Sequence, residues 1–287
     1  MEKEVLLFTA MDADTGIKIR DYLKNRLYFS TSLIAKVKFG GVLLNGERVS
    51  MRAIVHTGDK IEITLPSEES ENVEPVECNL EVIYEDKHIL AINKPKNMPT
   101  HPSRGNHLVT VANAVRAYIG KPFVFRAITR LDRDTSGIVL IAKNQLSAAI
   151  LSRSLKAGEF EKIYYAKISG APEECEGEII APIAREREGS IKRVVRADGK
   201  EAVTKYRTVS IDERGDATLE LVAVTGRTHQ LRVHMAHIGH PLKYDFLYGE
   251  RVEGVTYLLH CGRLVFPHPL TKEPLELISE PTFLPQN

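Results

Sequence analysis

Apolar positions near the start of the chain recur at helical spacing. Ile19, Tyr22, Leu23 and Leu27 share one face while Lys18, Lys24 and Arg26 fall outside it, which predicts an amphipathic helix with outward cations. Ser30, Thr31 and Ser32 precede Leu33, Ile34 and Val37, and Gly40-Gly41 follows; capping hydroxyls at one end and glycines at the other bound a second short helix. Val42-Leu43-Leu44 then meets Asn45-Gly46, a strong hairpin signal, and Ile61, Ile63 and Leu65 alternate with polar residues after the Gly58-Asp59 turn, as a closing strand does.

Further along the period changes. Residues 138–142 are continuously apolar, the pattern of a strand buried on both faces. Tyr164, Ala166 and Ile168 alternate within KIYYAKISG, the period of a strand. A strand ending near Thr225 turns at Gly226 into a helix, for which the pattern predicts Thr228 as cap, Leu231, Met235 and Ile238 as the apolar stripe, and Gly239 then Pro241 as the stop. His229 and Arg232, three residues apart, share one side of that helix.

Composition narrows the class. Apolar residues at 43% and charged residues at 27% supply a core without extended disorder, and no segment is apolar enough to cross a bilayer. The opening residues do not resemble a secretory signal, so a cytoplasmic address is expected. Cys78, Cys175 and Cys261 are odd in number and widely spaced, which argues against a disulfide framework and a cysteine zinc site. A net charge of +1 conceals asymmetry: residues 17–60 carry nine basic and three acidic side chains, whereas residues 67–81 carry six glutamates and no base. The chain divides accordingly into a basic module (1–66), an acidic linker (67–79) and a larger domain (80–287).

Within the larger domain, Arg130, Asp132, Arg133 and Asp134 precede Thr135-Ser136-Gly137 and the apolar run, so a charged cluster sits in the turn leading into a buried strand. Taken singly these residues have plain readings: Asp132 as a turn cap, Tyr164 as a half-buried strand residue, Arg232 as a surface ion-pair partner. Their joint occurrence in order carries more weight.

The module, with its IAKVKFGGVLLNGERV stretch and GDKIEI ending, resembles S4-like RNA-binding domains. From Leu80 onward the chain resembles the RluA/RluD-type RNA pseudouridine synthases, through VIYEDKHILAINKPKNMPTHPS, RLDRDTSG, KIYYAKISG and TGRTHQLRVHMAHIGHP in succession. It departs from the usual pattern at Thr129 (commonly His), Asn97 (commonly Gly) and Tyr244-Asp245 (commonly Gly-Asp), none of them a residue expected to carry chemistry. The resemblance implies an α+β chain in which the S4-like module precedes a catalytic domain with a mixed, largely antiparallel central β-sheet. It implies conversion of uridine to pseudouridine, with ribosomal RNA of the large subunit the favoured substrate and transfer RNA the alternative. That reaction breaks the N-glycosidic bond, turns the base and rejoins it through C5; nothing is oxidised, so no cofactor and no metal is expected. By resemblance Asp132 acts at the ribose, as nucleophile or as base. Arg232 holds it oriented and ionised, Tyr164 packs on the target base, and Arg130 fills the stack vacated by the flipped nucleotide or contacts a phosphate. Lys24, Arg26, Lys36 and Lys38 are the expected phosphate contacts of the module. A monomer without an obligate protein partner and away from the membrane completes the expectation.

Three other readings fit the residues less well. His229, His234, His237 and His240 crowd one segment as metal ligands would, but the glutamate of a zincin is absent and Gly239 and Pro241 interrupt the helix. Asp132 and Asp134, two apart in a turn, seldom span the roughly 5 to 9 Å of a glycosidase pair. An RNA-binding assembly factor without activity would have no use for the Asp132, Tyr164 and Arg232 set.

Overall fold

The structure, a computed structural model, describes residues 5–66, 73–102, 109–120 and 123–284; residues 67–72 of the acidic linker, Ser103 of the opening motif and the first four residues lie outside them. The first sheet is antiparallel, with strands in the order β1 (Val5–Thr9), β4 (Lys60–Thr64), β2 (Val42–Leu44), β3 (Glu47–Arg48). Strand β1 is not evident in the sequence pattern. The alternation of Ile61 and Ile63 turns both inward, where they meet Ile19, Leu23 and Leu33. Helix α2 (Thr31–Val37) is capped by Ser30, whose Oγ accepts the Leu33 N–H at 3.1 Å.

The first predicted helix departs from expectation. One turn of α1 (Ile19–Asp21) widens into a π-turn over Tyr22–Arg26, closed by the Leu27 N–H on the Tyr22 carbonyl. Arg26 is not free: its Nε pairs with Asp14 Oδ1 at 2.7 Å and its Nη2 donates to the Ala13 carbonyl.

The larger sheet has nine strands and is mixed but largely antiparallel, as expected. Its order is β5 (Glu81–Glu85), β6 (Ile89–Lys94), β7 (Ser136–Ala142), β14 (Leu259–Pro267), β8 (Glu161–Lys167), β13 (Ala217–Ala223), β12 (Val203–Ile211), β9 (Glu176–Ile180), with β15 (Pro274–Ile278) also on β14. A separate hairpin joins β10 (Ile183–Arg185) to β11 (Arg193–Val195). Among the described residues only β7 and β14 run parallel, and they pair over just two positions, Ser136 with His260 and Gly137 with Cys261. This short seam joins the two halves of the sheet.

Gly137 makes the seam possible. Its φ is +108°, and a Cβ there would stand 2.3 Å from the Cys261 carbonyl oxygen. Beyond it Ile138, Val139, Leu140, Ile141 and Ala142 are all fully buried, covered by α3 (Val111–Ile119) and α4 (Gln145–Lys156). Helix α4 is buried on two sides: Leu151 enters the large core, while Leu146 and Ile150 enter the core of the small sheet. The Arg153 guanidinium also lies 3.9 Å from the Tyr28 ring centroid. The small sheet is therefore seated on a helix that also covers the large one.

Gly137→Ala is expected to lower unfolding stability by roughly 2–4 kcal/mol, through left-handed strain plus a backbone clash. Urea melts of the two proteins check this; equal midpoints would mean that the seam tolerates a side chain.

Candidate active site

The turn that carries Asp132 is held from below by a buried ammonium. Lys94, at the end of β6 and fully buried, donates to the carbonyls of Pro95 (2.8 Å), Met98 (2.8 Å) and Arg133 (2.9 Å). Burial pushes its pKa down to about 7, against the pull of Asp134 and Asp132, and each of its three N–H groups has an acceptor. Thr100 Oγ1 donates to the Leu131 carbonyl at 3.0 Å, and the Thr135 N–H closes the turn on the Asp132 carbonyl. The loop after β6 and the loop before β7 are thus bonded on both sides of Asp132. Asp134 turns away from the cleft and is buried against the Arg133 guanidinium, so the two aspartates do not form a facing pair.

Arg232 comes from α5 (Gln230–His237). The helix is buried on all sides from Gln230 to Met235, more than an amphipathic stripe implies. Arg232 is 3% exposed and Asp245 0%. Two bonds join them, Nε to Oδ2 at 2.7 Å and Nη2 to Oδ1 at 2.8 Å, and Asp245 also accepts the Leu247 and Tyr248 N–H groups. The guanidinium lies 4.2 Å from the Tyr257 ring centroid and 5.0 Å from that of Tyr248. Burial disfavours its charge, but the bonds to Asp245 with the nearby Tyr257 and Asp132 outweigh that and raise its pKa. The remaining nitrogen, Nη1, faces Asp132 Oδ2 at 3.6 Å.

Thr228 is not the cap of α5. His229 stands at that position with φ +58°, and its side chain caps nothing. Gln230 organises the turn instead: its Oε1 accepts from Thr225 Oγ1 and the Arg227 N–H, and its Nε2 donates to the Val203 carbonyl and Thr204 Oγ1. Three histidines of this segment have separate partners, and His237 is exposed. His234 bonds Thr204 Oγ1 and the Ala181 carbonyl, His240 the Ser169 carbonyl, and His229 the Tyr248 hydroxyl.

Tyr164 reaches the same cleft from β8, whose register sets it opposite Cys261 on β14. Burial, with Cys261 and Asp132 nearby, pushes its pKa well above the usual phenol range. Burial likewise pushes the Cys261 thiol up to about 12. Asp132, Tyr164, Arg232 and Arg130 all line one cleft of about 870 Å³, with Arg130 exposed at its edge. Lys24, Lys36 and Lys38 are exposed on the small module, and neither they nor Arg26 line the cleft.

Asp245, Tyr248, Tyr257 and Lys94 escaped sequence reasoning. Lys94 carries the clearest signal, a lysine that closes a strand opening on four apolar residues and stands directly before Pro95; Asp245 follows the third motif but lies 13 residues beyond Arg232, a pairing that no helical or strand period suggests.

Against known proteins, residues 88–237 match the family model described as RNA pseudouridylate synthase. The chain is 39% identical over 263 residues to the uncharacterized RNA pseudouridine synthase YjbO of Bacillus subtilis, covering 89% of this chain and 92% of that one. It is 34% identical to the ribosomal large subunit pseudouridine synthase D of Xanthomonas campestris, covering 86% and 80%. Among solved structures, human RNA pseudouridylate synthase domain containing 1 matches with a TM-score of 0.62 at 27% identity, over 72% of this chain and 85% of that one. A family match over half the chain, relatives of this identity along most of its length, and a cleft that gathers aspartate, tyrosine and arginine from three separate motifs lead to one conclusion: the chain belongs to the RluA-type RNA pseudouridylate synthase family and is an RNA pseudouridine synthase.

Proposed function

We propose that this enzyme isomerises uridines of large-subunit ribosomal RNA and that Asp132 is the carboxylate that acts at the ribose. The observation that carries the reading is the approach of Arg232 Nη1 to Asp132 Oδ2 at 3.6 Å from a guanidinium otherwise fully held by Asp245. A cation fixed in this way orients the carboxylate without adapting to it, which is how preorganised electrostatics act on a reacting group.

Tyr164, across the cleft, offers a ring on which the target uracil stacks. Its hydroxyl is kept in the protonated form by burial and acts as a hydrogen-bonding group near the C5 edge. Arg130, exposed at the edge, fills the gap left in the RNA stack when the nucleotide turns out, an event that costs about a few kcal/mol. Proton accounting closes within the site: the C5 proton leaves as the new C–C bond forms, and N1 takes one up as its bond to the ribose is lost. No net oxidation occurs.

RNA extends beyond the cleft. A groove of about 430 Å³ adjoins it through Gly226, Arg227 and Thr228 and is lined also by Arg185, Arg193 and Lys200, with Asp198 its sole acid. Lys24, Lys36 and Lys38 add exposed cations on residues 1–66, the S4-like part in this reading, which the linker 67–79 joins to the catalytic part, 80–287. Such contacts set affinity and its salt dependence while the cleft selects the base. The large ribosomal subunit is favoured because several relatives are ribosomal large subunit pseudouridine synthases, D in Xanthomonas campestris and C in Vibrio cholerae among them.

Two outcomes follow. Pseudouridine mapping of RNA from cells lacking this protein should find one or more large-subunit sites lost and restored by the wild-type gene; losses confined to transfer RNA would move the substrate there. Asp245→Asn should lower stability by about 3–5 kcal/mol, because it leaves Arg232 buried without its counter-charge, and should reduce kcat. Thermal melts and turnover of that variant matching the wild type would remove Asp245 as the support of Arg232.

A further inference from the structure

His229 stands in the left-handed region at φ +58°, a conformation that non-glycine residues occupy sparsely, and it does so next to Asp132. The other described non-glycine residues of this chain in that region are Tyr28, Asn45, Asn97, Tyr244 and Lys272, of which asparagine is the better tolerated there. A histidine in this place delivers a ring that asparagine could not.

The ring's hydrogen bonds run in one direction. Tyr248 Oη accepts the Arg193 backbone N–H at 2.9 Å, and its own proton has His229 Nδ1, 2.8 Å away, as its acceptor among the described residues. Nδ1 is then an acceptor, and in the neutral ring the proton sits on Nε2. Burial disfavours the imidazolium and lowers its pKa, with Asp132 pulling the other way. Nε2 lies 3.8 Å from Asp132 Oδ2, the same oxygen that Arg232 Nη1 faces at 3.6 Å. Both separations exceed a hydrogen bond, as catalytic contacts do before substrate draws them together. Asp132 Oδ1 makes no hydrogen bond among the described residues, and the nearest approach of each of the two cations is to Oδ2.

We propose that His229 is a positioning residue for Asp132: its Nε2–H and the Arg232 guanidinium clamp Oδ2 from two sides, so that Oδ1 alone is presented to the ribose. The inference rests on Asp132 being the reactive carboxylate. It assigns the strained backbone a purpose, since φ +58° aims the ring at both Tyr248 and Asp132.

Two amide variants separate this role from a structural one. In His229→Gln the side-chain nitrogen falls near the place of Nε2; in His229→Asn it falls near Nδ1 and cannot reach Asp132. A residue needed only for the left-handed turn would be replaced better by Asn than by Gln. The clamp requires the reverse order. Turnover should stay within about 10-fold of wild type for His229→Gln and fall about 100-fold or more for His229→Asn, the scale of a misplaced reacting group, with KM for RNA unchanged in both. Thermal melts should find His229→Asn at least as stable as His229→Gln. Equal turnover of the two variants, or the better turnover in His229→Asn, would overturn the clamp while Asp132→Asn remains inactive. An active Asp132→Asn would instead remove the carboxylate reading and the clamp with it.

Discussion

A guanidinium and a carboxylate buried together with almost no exposed surface govern this molecule. Arg232 and Asp245 are removed from water, and two charges in that position are stable only when geometry replaces the lost solvation. Here it does. The pair is bidentate, Asp245 takes two further N–H groups from its own loop, and aromatic rings of Tyr248 and Tyr257 lie against the cation. The loop after α5 folds back to bring Asp245 to Arg232, and α5 itself packs on β11, β12 and β13, which buries it from Gln230 to Met235. With two nitrogens spent on Asp245, the third is left in one place, facing Asp132.

The other constraint fixes Asp132 itself. The two halves of the large sheet meet along a parallel seam only two residue pairs long, and the turn that carries Asp132 enters the sheet at that seam. A glycine permits the approach, and a buried lysine bonded to three carbonyls holds the turn from the opposite side. Both devices are backbone devices: they set where the Asp132 Cα lies and leave the carboxylate free for the cleft. Tyr164 then follows from register alone, because β8 pairs with β14 and sets it opposite Cys261. The Asp132 and Tyr164 motifs, far apart in sequence, converge because one strand, β14, contacts both β7 and β8, while α5 brings Arg232 in from its packing on β11, β12 and β13.

Elements with a clean period were legible in the sequence. Ile61 and Ile63 lie in the closing strand, residues 138–142 form the strand buried on both faces, and Asn45-Gly46 turns a hairpin, all for the reasons that their patterns suggest. Failures occurred where long-range contacts override local signals. Thr228 looks like a cap, but the side chain of Gln230 bonds both the preceding turn and β12, and it displaces any capping hydroxyl. Arg26 looks free on a helical face, but Asp14, twelve residues earlier, claims it. The Asp132, Tyr164 and Arg232 set was reached through motif resemblance; Asp245, Tyr248 and Lys94 were not, since ion pairs and carbonyl clamps leave no period. The histidine cluster illustrates the limit best, for spacing alone suggests shared ligands whereas the fold gives His229, His234 and His240 separate partners and leaves His237 exposed.

The decisive measurement is tritium release from C5-labelled uridine in unmodified ribosomal RNA under single turnover, wild type against Asp132→Asn, on RNA that both proteins bind. Release by the wild type with none by the variant, at equal affinity, is the expected result. Release by both at similar rates would contradict the assignment of Asp132, and with it the role given to the Arg232–Asp245 pair.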